Sequence, residues 1–144
     1  MNWIPYGPNA MMYRFAERVG DEAFAKGRAI AAELERHPPL GLTEFVPAFT
    51  RVLLEFDPTL VPAPESVAAD LAARLEAASA SELPPASIKE IPVSYNGPDL
   101  EHVAQSNDLS VPEVVARHSA TVYKVYLFGF SPGFPYLGEL DPRL

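Results

Sequence analysis

Cysteine is absent from all 144 residues, which removes disulfides, thiolate zinc sites and cysteine nucleophiles together. That absence fits a cytoplasmic protein. Long apolar runs are missing as well: each is broken within about ten residues, against the ~20 that a membrane span needs. The opening Met1-Asn2-Trp3-Ile4-Pro5-Tyr6 has no basic region followed by an apolar stretch, so no signal peptide is expected. Basic residues are few, 11 Lys and Arg against 19 Asp and Glu, and the formal net charge is −8. Neither nucleic acid nor an anionic membrane attracts such a chain. The three histidines, His37, His102 and His118, lack ligand spacing, and no metal site is expected. A glycine-rich phosphate loop with lysine and a G-x-S-x-G elbow are both absent.

What is present suffices for a folded protein. Apolar residues make up 48 % and charged residues 21 %, enough for a core and too balanced for wholesale disorder. The 16 prolines cluster at Pro38-Pro39, Pro58 to Pro64, Pro84-Pro85 and Pro132 to Pro142, and each cluster punctuates a boundary.

Ala10 to Ala16 reads as a strand after the Gly7-Pro8-Asn9 turn. Asp21 to His37 reads as a helix, with Phe24, Gly27, Ile30, Ala31 and Leu34 on one face. Pro38-Pro39 ends it. Phe45 to Phe49 and Arg51 to Phe56 read as short strands, and Pro47 makes the first an edge or bulged one. A helix from Pro64 to Ala78 carries Val67, Leu71 and Leu75 as a buried stripe. This order predicts a small two-layer α+β domain over residues 1–83.

Ser79 to Ser87 reads as a linker, and residues 84–144 as a second unit. Ile88 to Tyr95 has a strand pattern, and Asp99 to Gln105 follows as a short helix. Ser110 and Glu113 form a capping box for the next helix, flanked by Leu109 and Val114 as a hydrophobic staple. That helix runs to about His118. Tyr123 to Phe130 is the last strand, with Val125 and Leu127 on one face and Lys124, Tyr126, Phe128 and Phe130 on the other.

The stretch Gly129 to Arg143, GFSPGFPYLGELDPR, packs three glycines, three prolines and three aromatics directly after this strand. Glycine permits positive φ and close backbone approach, and proline stiffens the loop. Such a loop can hold backbone N–H groups and rings around a small ligand. It can equally be an ordered surface loop pinned by its aromatics.

The same stretch resembles the GF-x-PGFPYL-GxLDPRL signature of the family of the 5-oxoprolinase B subunit, also called KipI or allophanate hydrolase subunit 1, and of related carboxyltransferase domains in urea amidolyase-type enzymes. Tyr6-Gly7 with Ala10 to Phe15 is similar to the family's opening strand pair. Val46 to Phe49 with Val52 to Pro58 is similar to its next two strands. Ile91-Pro92-Val93, Gly97 to Leu100, Val114 to His118 and Tyr123 to Val125 resemble the start of its cyclophilin-like barrel. The turn at Tyr95-Asn96-Gly97 is a few residues shorter than the family's, and Ser131 and Glu139 stand where smaller residues are common. The resemblance implies an α+β fold: a two-layer N-terminal domain followed by the first part of a cyclophilin-like β-barrel. The barrel is expected to be incomplete at Leu144, short of a later sPGGW-type segment.

Function follows from the resemblance as an expectation. It implies a polypeptide that converts 5-oxoproline to glutamate at the expense of ATP, together with a partner of the 5-oxoprolinase C-subunit type. In that chemistry ATP activates the amide oxygen, and positioned donors stabilise the developing charge. The chain alone is expected to be inactive. Alternatives are a binding regulator that inhibits a sensor histidine kinase, and a carboxyltransferase module using biotin carried elsewhere. His118 is a candidate for proton transfer or, equally, a cap of its helix. Asp141 and Arg143 are candidate catalytic residues, the arginine able to pair with a carboxylate or phosphate, or else they form a mutual salt bridge. Gly129, Phe130, Pro132, Gly133, Phe134 and Tyr136 are the candidate substrate-binding residues, and Lys124 is read as solvated. The two-faced strand and its aromatic loop are expected to contact another chain, a second copy or a C-subunit-type protein, or else to be poorly ordered.

Overall fold

In the computed structural model, which describes residues 3–79 and 86–144, the first structural event is a hairpin. β1 (Trp3–Pro5) pairs antiparallel with β2 (Ala10–Arg14). α1 (Asp21–Arg36) follows, then β3 (Leu42–Pro47) and β4 (Arg51–Phe56). The four strands form one antiparallel sheet in the order β1-β2-β4-β3. A 3-10 turn (Pro64–Val67) leads into α2 (Ala68–Ala77). Contacts divide the chain into two compact units, Met1–Pro85 and Ala86–Leu144.

Alternation in the strands sends Tyr13, Val52, Leu54 and Phe56 to one face, where they meet Ile30 and Leu34 of α1, Leu71 and Leu75 of α2, and Val61. All nine are buried. Each large apolar side chain so buried contributes roughly 1.5–3 kcal/mol. The helical stripe at 67, 71 and 75 is therefore the side that faces the sheet, with Val67 packed at its margin. Arg74 ties the two helices, donating to Glu33 Oε1 at 2.9 and 3.3 Å. Lys26 Nζ donates to the carbonyls of Glu76 at 2.6 Å and Ala78 at 2.9 Å, closing the end of α2. Trp3 stacks on Tyr13 with ring centroids 4.7 Å apart.

The second unit contains α3 (Leu100–Ser106), α4 (Val111–Ala120) and a hairpin of β5 (Lys124–Phe128) with β6 (Pro135–Gly138). Ala104 and Val114 are its buried apolar residues among those described.

Several expectations need correction. β3 begins at Leu42 rather than Phe45, with a register irregularity between Leu42 and Glu44, and stops at Pro47. It is an edge strand, which is where a proline is tolerated. The first turn of the expected helix at Pro64 is 3-10. Ile88 to Tyr95 forms no strand, and Ile88 is 78 % exposed. Its pattern has no described strand beside it to complete a ladder. β5 ends at Phe128, and part of the expected loop, Pro135–Gly138, is its partner strand. Of the expected linker, residues 80–85 lie outside those described.

Candidate functional site

α4 starts at a cap that the sequence spells out. The Ser110 backbone N–H donates to the Glu113 carboxylate at 2.8 Å, and the Ser110 hydroxyl donates to it at 2.6 Å. These bonds, the hydroxyl first, hold the Glu113 carboxyl below the ordinary range. Arg117 and His118 fall in the last turn, where positive charge meets the negative end of the helix dipole. The Thr121 hydroxyl donates to the Arg117 carbonyl at 3.1 Å.

Arg117 reaches the segment after β6. Its Nη1 lies 3.1 and 3.4 Å from the two carboxylate oxygens of Asp141. Asp141 also accepts the Arg143 backbone N–H at 2.8 Å. That backbone bond first, and the Arg117 guanidinium after it, hold the Asp141 carboxyl below the ordinary range against the opposing effect of burial. An open cleft of about 390 Å³ lies beside this pair, lined by Glu113, Ala116, Arg117, Ala120, Thr121 and Asp141. The partner of Asp141 is thus Arg117, not the Arg143 side chain. Arg143 is exposed.

His118 sits among tyrosines. Its Nδ1 is 2.7 Å from Tyr95 Oη, the Tyr95 ring stands edge-on at 5.6 Å, and the Tyr123 ring lies at 5.3 Å. The Tyr123 hydroxyl donates to the His118 carbonyl at 3.1 Å. His118 is not among the cleft-lining residues.

The β5–β6 hairpin is irregular at one point. Val125 pairs with Leu137 and Leu127 with Tyr136, so Tyr126 is the extra residue of a bulge. Its ring lies over Gly138, where a Cβ would come within 2.9 Å of it. The turn closes through Gly129 N–H to Phe134 O at 3.1 Å and Phe134 N–H to Ser131 O at 3.0 Å. Gly133 takes φ 77°, a conformation that favours glycine, and Phe130 takes φ 65° without that freedom. Phe130, Phe134 and Tyr136 form an edge-to-face series with centroids 5.7 and 5.4 Å apart. They are open to solvent: Phe130 is 91 % and Phe134 45 % exposed, and Phe128 is exposed beside them. Pro132 is exposed as well. Lys124 is half-buried, its Nζ 6.0 Å from the Tyr126 ring.

The candidates therefore fall in three surroundings: Asp141 in the cleft, His118 between tyrosines, and the aromatics on the hairpin turn. Reading the sequence singled out neither Arg117 nor Tyr95. Arg117 is four residues after Glu113 on one helix face, which was the available signal. Among the described residues no group of three or more His, Asp or Glu side chains is arranged to hold a metal ion, and no helix is long and apolar enough to cross a membrane.

The antiparallel sheet under two helices, followed by part of a cyclophilin-like fold, is the architecture of a carboxyltransferase-type protein. Residues 1–144 match the family described as carboxyltransferase domain, subdomain C and D, and the chain belongs to that family. It is 39 % identical over 150 residues to the B subunit of 5-oxoprolinase from Bacillus subtilis strain 168, across 96 % of this chain and 62 % of that protein. The Escherichia coli O157:H7 protein of the same name is 47 % identical over 88 residues, across 56 % of this chain and 40 % of its own length. The chain thus spans less than two thirds of the relatives it matches. The crystal structure of TTHA0988 matches with a TM-score of 0.77 at 37 % identity, over 93 % of this chain and 26 % of that one. The Kluyveromyces lactis urea amidolyase matches with a TM-score of 0.58 at 15 % identity, over 88 % of this chain and 9 % of that one, a likeness of fold alone.

Proposed function

We propose that this chain is part of the B subunit of an ATP-dependent 5-oxoprolinase, which opens the lactam of 5-oxoproline to glutamate with a C-type partner subunit. The observation that carries the reading is the 39 % identity over 96 % of the chain to the Bacillus subtilis protein of that name. The cleft of about 390 Å³ has room for a small lactam. In this reading the exposed Arg143 guanidinium recognises the substrate carboxylate, and Asp141 holds the segment that carries it. Outside the cleft lining, His118, with its Nδ1 2.7 Å from Tyr95 Oη, is the proton-exchange candidate of this reading. Gly129, Phe130, Pro132, Gly133, Phe134 and Tyr136, on the hairpin turn and likewise outside that lining, are its substrate-binding candidates. ATP does not fit the cleft as it stands: the carboxylates of Glu113 and Asp141 balance the guanidinium of Arg117 and that of nearby Arg143, leaving no surplus of positive charge. A triphosphate needs a surplus of cations or backbone donors. ATP is therefore assigned to residues shared with the partner subunit.

The family's description favours a second reading, carboxyl transfer; in that reading biotin is held on another chain. One experiment separates the two. Residues 1–144 replace the matching part of the Bacillus subtilis B subunit, and the chimera is combined with a C-type partner subunit. Glutamate formation dependent on both 5-oxoproline and ATP is expected. Failure of the chimera to bind the partner, or activity only with a biotinylated carrier, overturns the proposal.

A further inference from the structure

The sheet of the first unit has a second face. Ile4 pairs with Met12, Met12 with Leu53, and Leu53 with Val46. These four apolar residues form one row across all four strands, on the face opposite Tyr13, Val52, Leu54 and Phe56. Its outer members are open, Ile4 at 41 % and Val46 at 42 % exposure, while Met12 and Leu53 are half-buried.

The rows on either side are charged and of opposite sign. Two residues along the strands in one direction, Arg14 pairs with Arg51. Two residues in the other direction, Glu44 pairs with Glu55. Each charged row stands about 7 Å from the apolar one. Like charges directly opposite one another disfavour an isolated sheet. Arg14 is relieved by its ion pair with Glu17. Among the described residues, the Arg51 side chain reaches Met12 Sδ at 3.7 Å and the Glu55 carboxylate the Asn9 side-chain amide at 3.1 Å, neither of them an opposite charge.

We propose that this face docks a second copy of the same chain. The pattern is self-complementary about a two-fold axis lying along the apolar row. Rotation about that axis sets apolar row on apolar row and reverses the strand direction. Arg51 of each copy then faces Glu55 of the other, and the like-charge rows become two opposite-charge contacts. The face measures roughly 19 by 17 Å, or about 320 Å² per copy, well under the ~800 Å² per partner of a standard interface. The dimer is therefore weak, concentration-dependent and weakened by salt. It uses no residue of the cleft, and it stands apart from the oxoprolinase reading.

Sedimentation velocity on the full chain, from about 10 µM to about 1 mM, reads the association directly. A monomer–dimer equilibrium is expected. R51E and E55R each set like charges against one another in both contacts, and each is expected to raise the dissociation constant roughly tenfold or more. Mixing the two variants restores both opposite-charge contacts, so the mixture is expected to associate where neither variant does alone. Far-UV circular dichroism of each variant verifies that the fold is kept. A monomer at every concentration overturns the proposal. So does dimerisation that neither single variant weakens, or a mixture that stays monomeric.

Discussion

Arg117 Nη1 lies 3.1 Å from Asp141 Oδ2, and this ion pair joins the last turn of α4 to the segment beyond β6, 24 residues away. Asp141 in turn holds the backbone N–H of Arg143. The backbone at Arg143 is therefore held through a side chain of α4, three elements earlier. Arg117→Ala is expected to leave overall helix content unchanged and to raise amide hydrogen exchange at Arg143. In the proposed oxoprolinase the same change is expected to cost roughly tenfold in kcat/KM, because a charge-assisted tether is lost. Unchanged exchange at Arg143 would show that the pair does not organise the segment.

Acid should weaken the first unit through Glu33. The Arg74 guanidinium, and His37 after it, hold the Glu33 carboxyl below its ordinary range. A carboxyl depressed in the folded state binds fewer protons there than in the unfolded chain. Its contribution is full above its unfolded value near pH ~4.3 and is lost as pH falls through the lower folded value. The thermal midpoint is expected to fall as pH drops below about 4, and less steeply in Glu33→Gln. Equal slopes for the two proteins would remove Glu33 from the account.

Two apolar residues should behave in opposite ways. Leu75 has 0 % exposure and packs between α2 and the sheet, so Leu75→Ala is expected to cost about 2–5 kcal/mol in urea unfolding. Ile88 is 78 % exposed, and Ile88→Ala is expected to fall within about 0.5 kcal/mol of the parent.

The bulge at Tyr126 can be tested by a pair of changes. A Cβ at residue 138 would lie 2.9 Å from the Tyr126 ring, so Gly138→Ala is expected to destabilise the hairpin by roughly 1–3 kcal/mol. Adding Tyr126→Ala removes the obstructing ring. The double variant is expected to lose less than the sum of the single losses, a coupling read by a double-mutant cycle. Strict additivity would mean that the ring does not sit over Gly138.

Features settled within a few residues were legible in the sequence. Ser110 and Glu113 announce the start of α4 because a capping box is a local exchange of hydrogen bonds. Ile30, Leu34, Leu71 and Leu75 announce the core because helical period alone places them on one face. The Gly129 to Arg143 stretch announced the family. What escaped depends on partners distant in sequence. Ile88 to Tyr95 alternates like a strand, but alternation does not supply a neighbour to pair with. Pro135–Gly138 carries little strand propensity and pairs only because β5 lies beside it. Of the candidate site, Asp141 and His118 stand out by residue type, whereas their contacts with Arg117 and Tyr95 come from approaches across 24 and 23 residues.

Trp3, the only tryptophan in the chain, belongs to β1 of the first unit and leans on Tyr13 at 4.7 Å. Intrinsic fluorescence excited at the indole band is thus a private channel for that sheet. Ellipticity, which sums over all helices, registers both units. A melt followed by both signals sets the first unit's sheet against the whole chain without any label being attached.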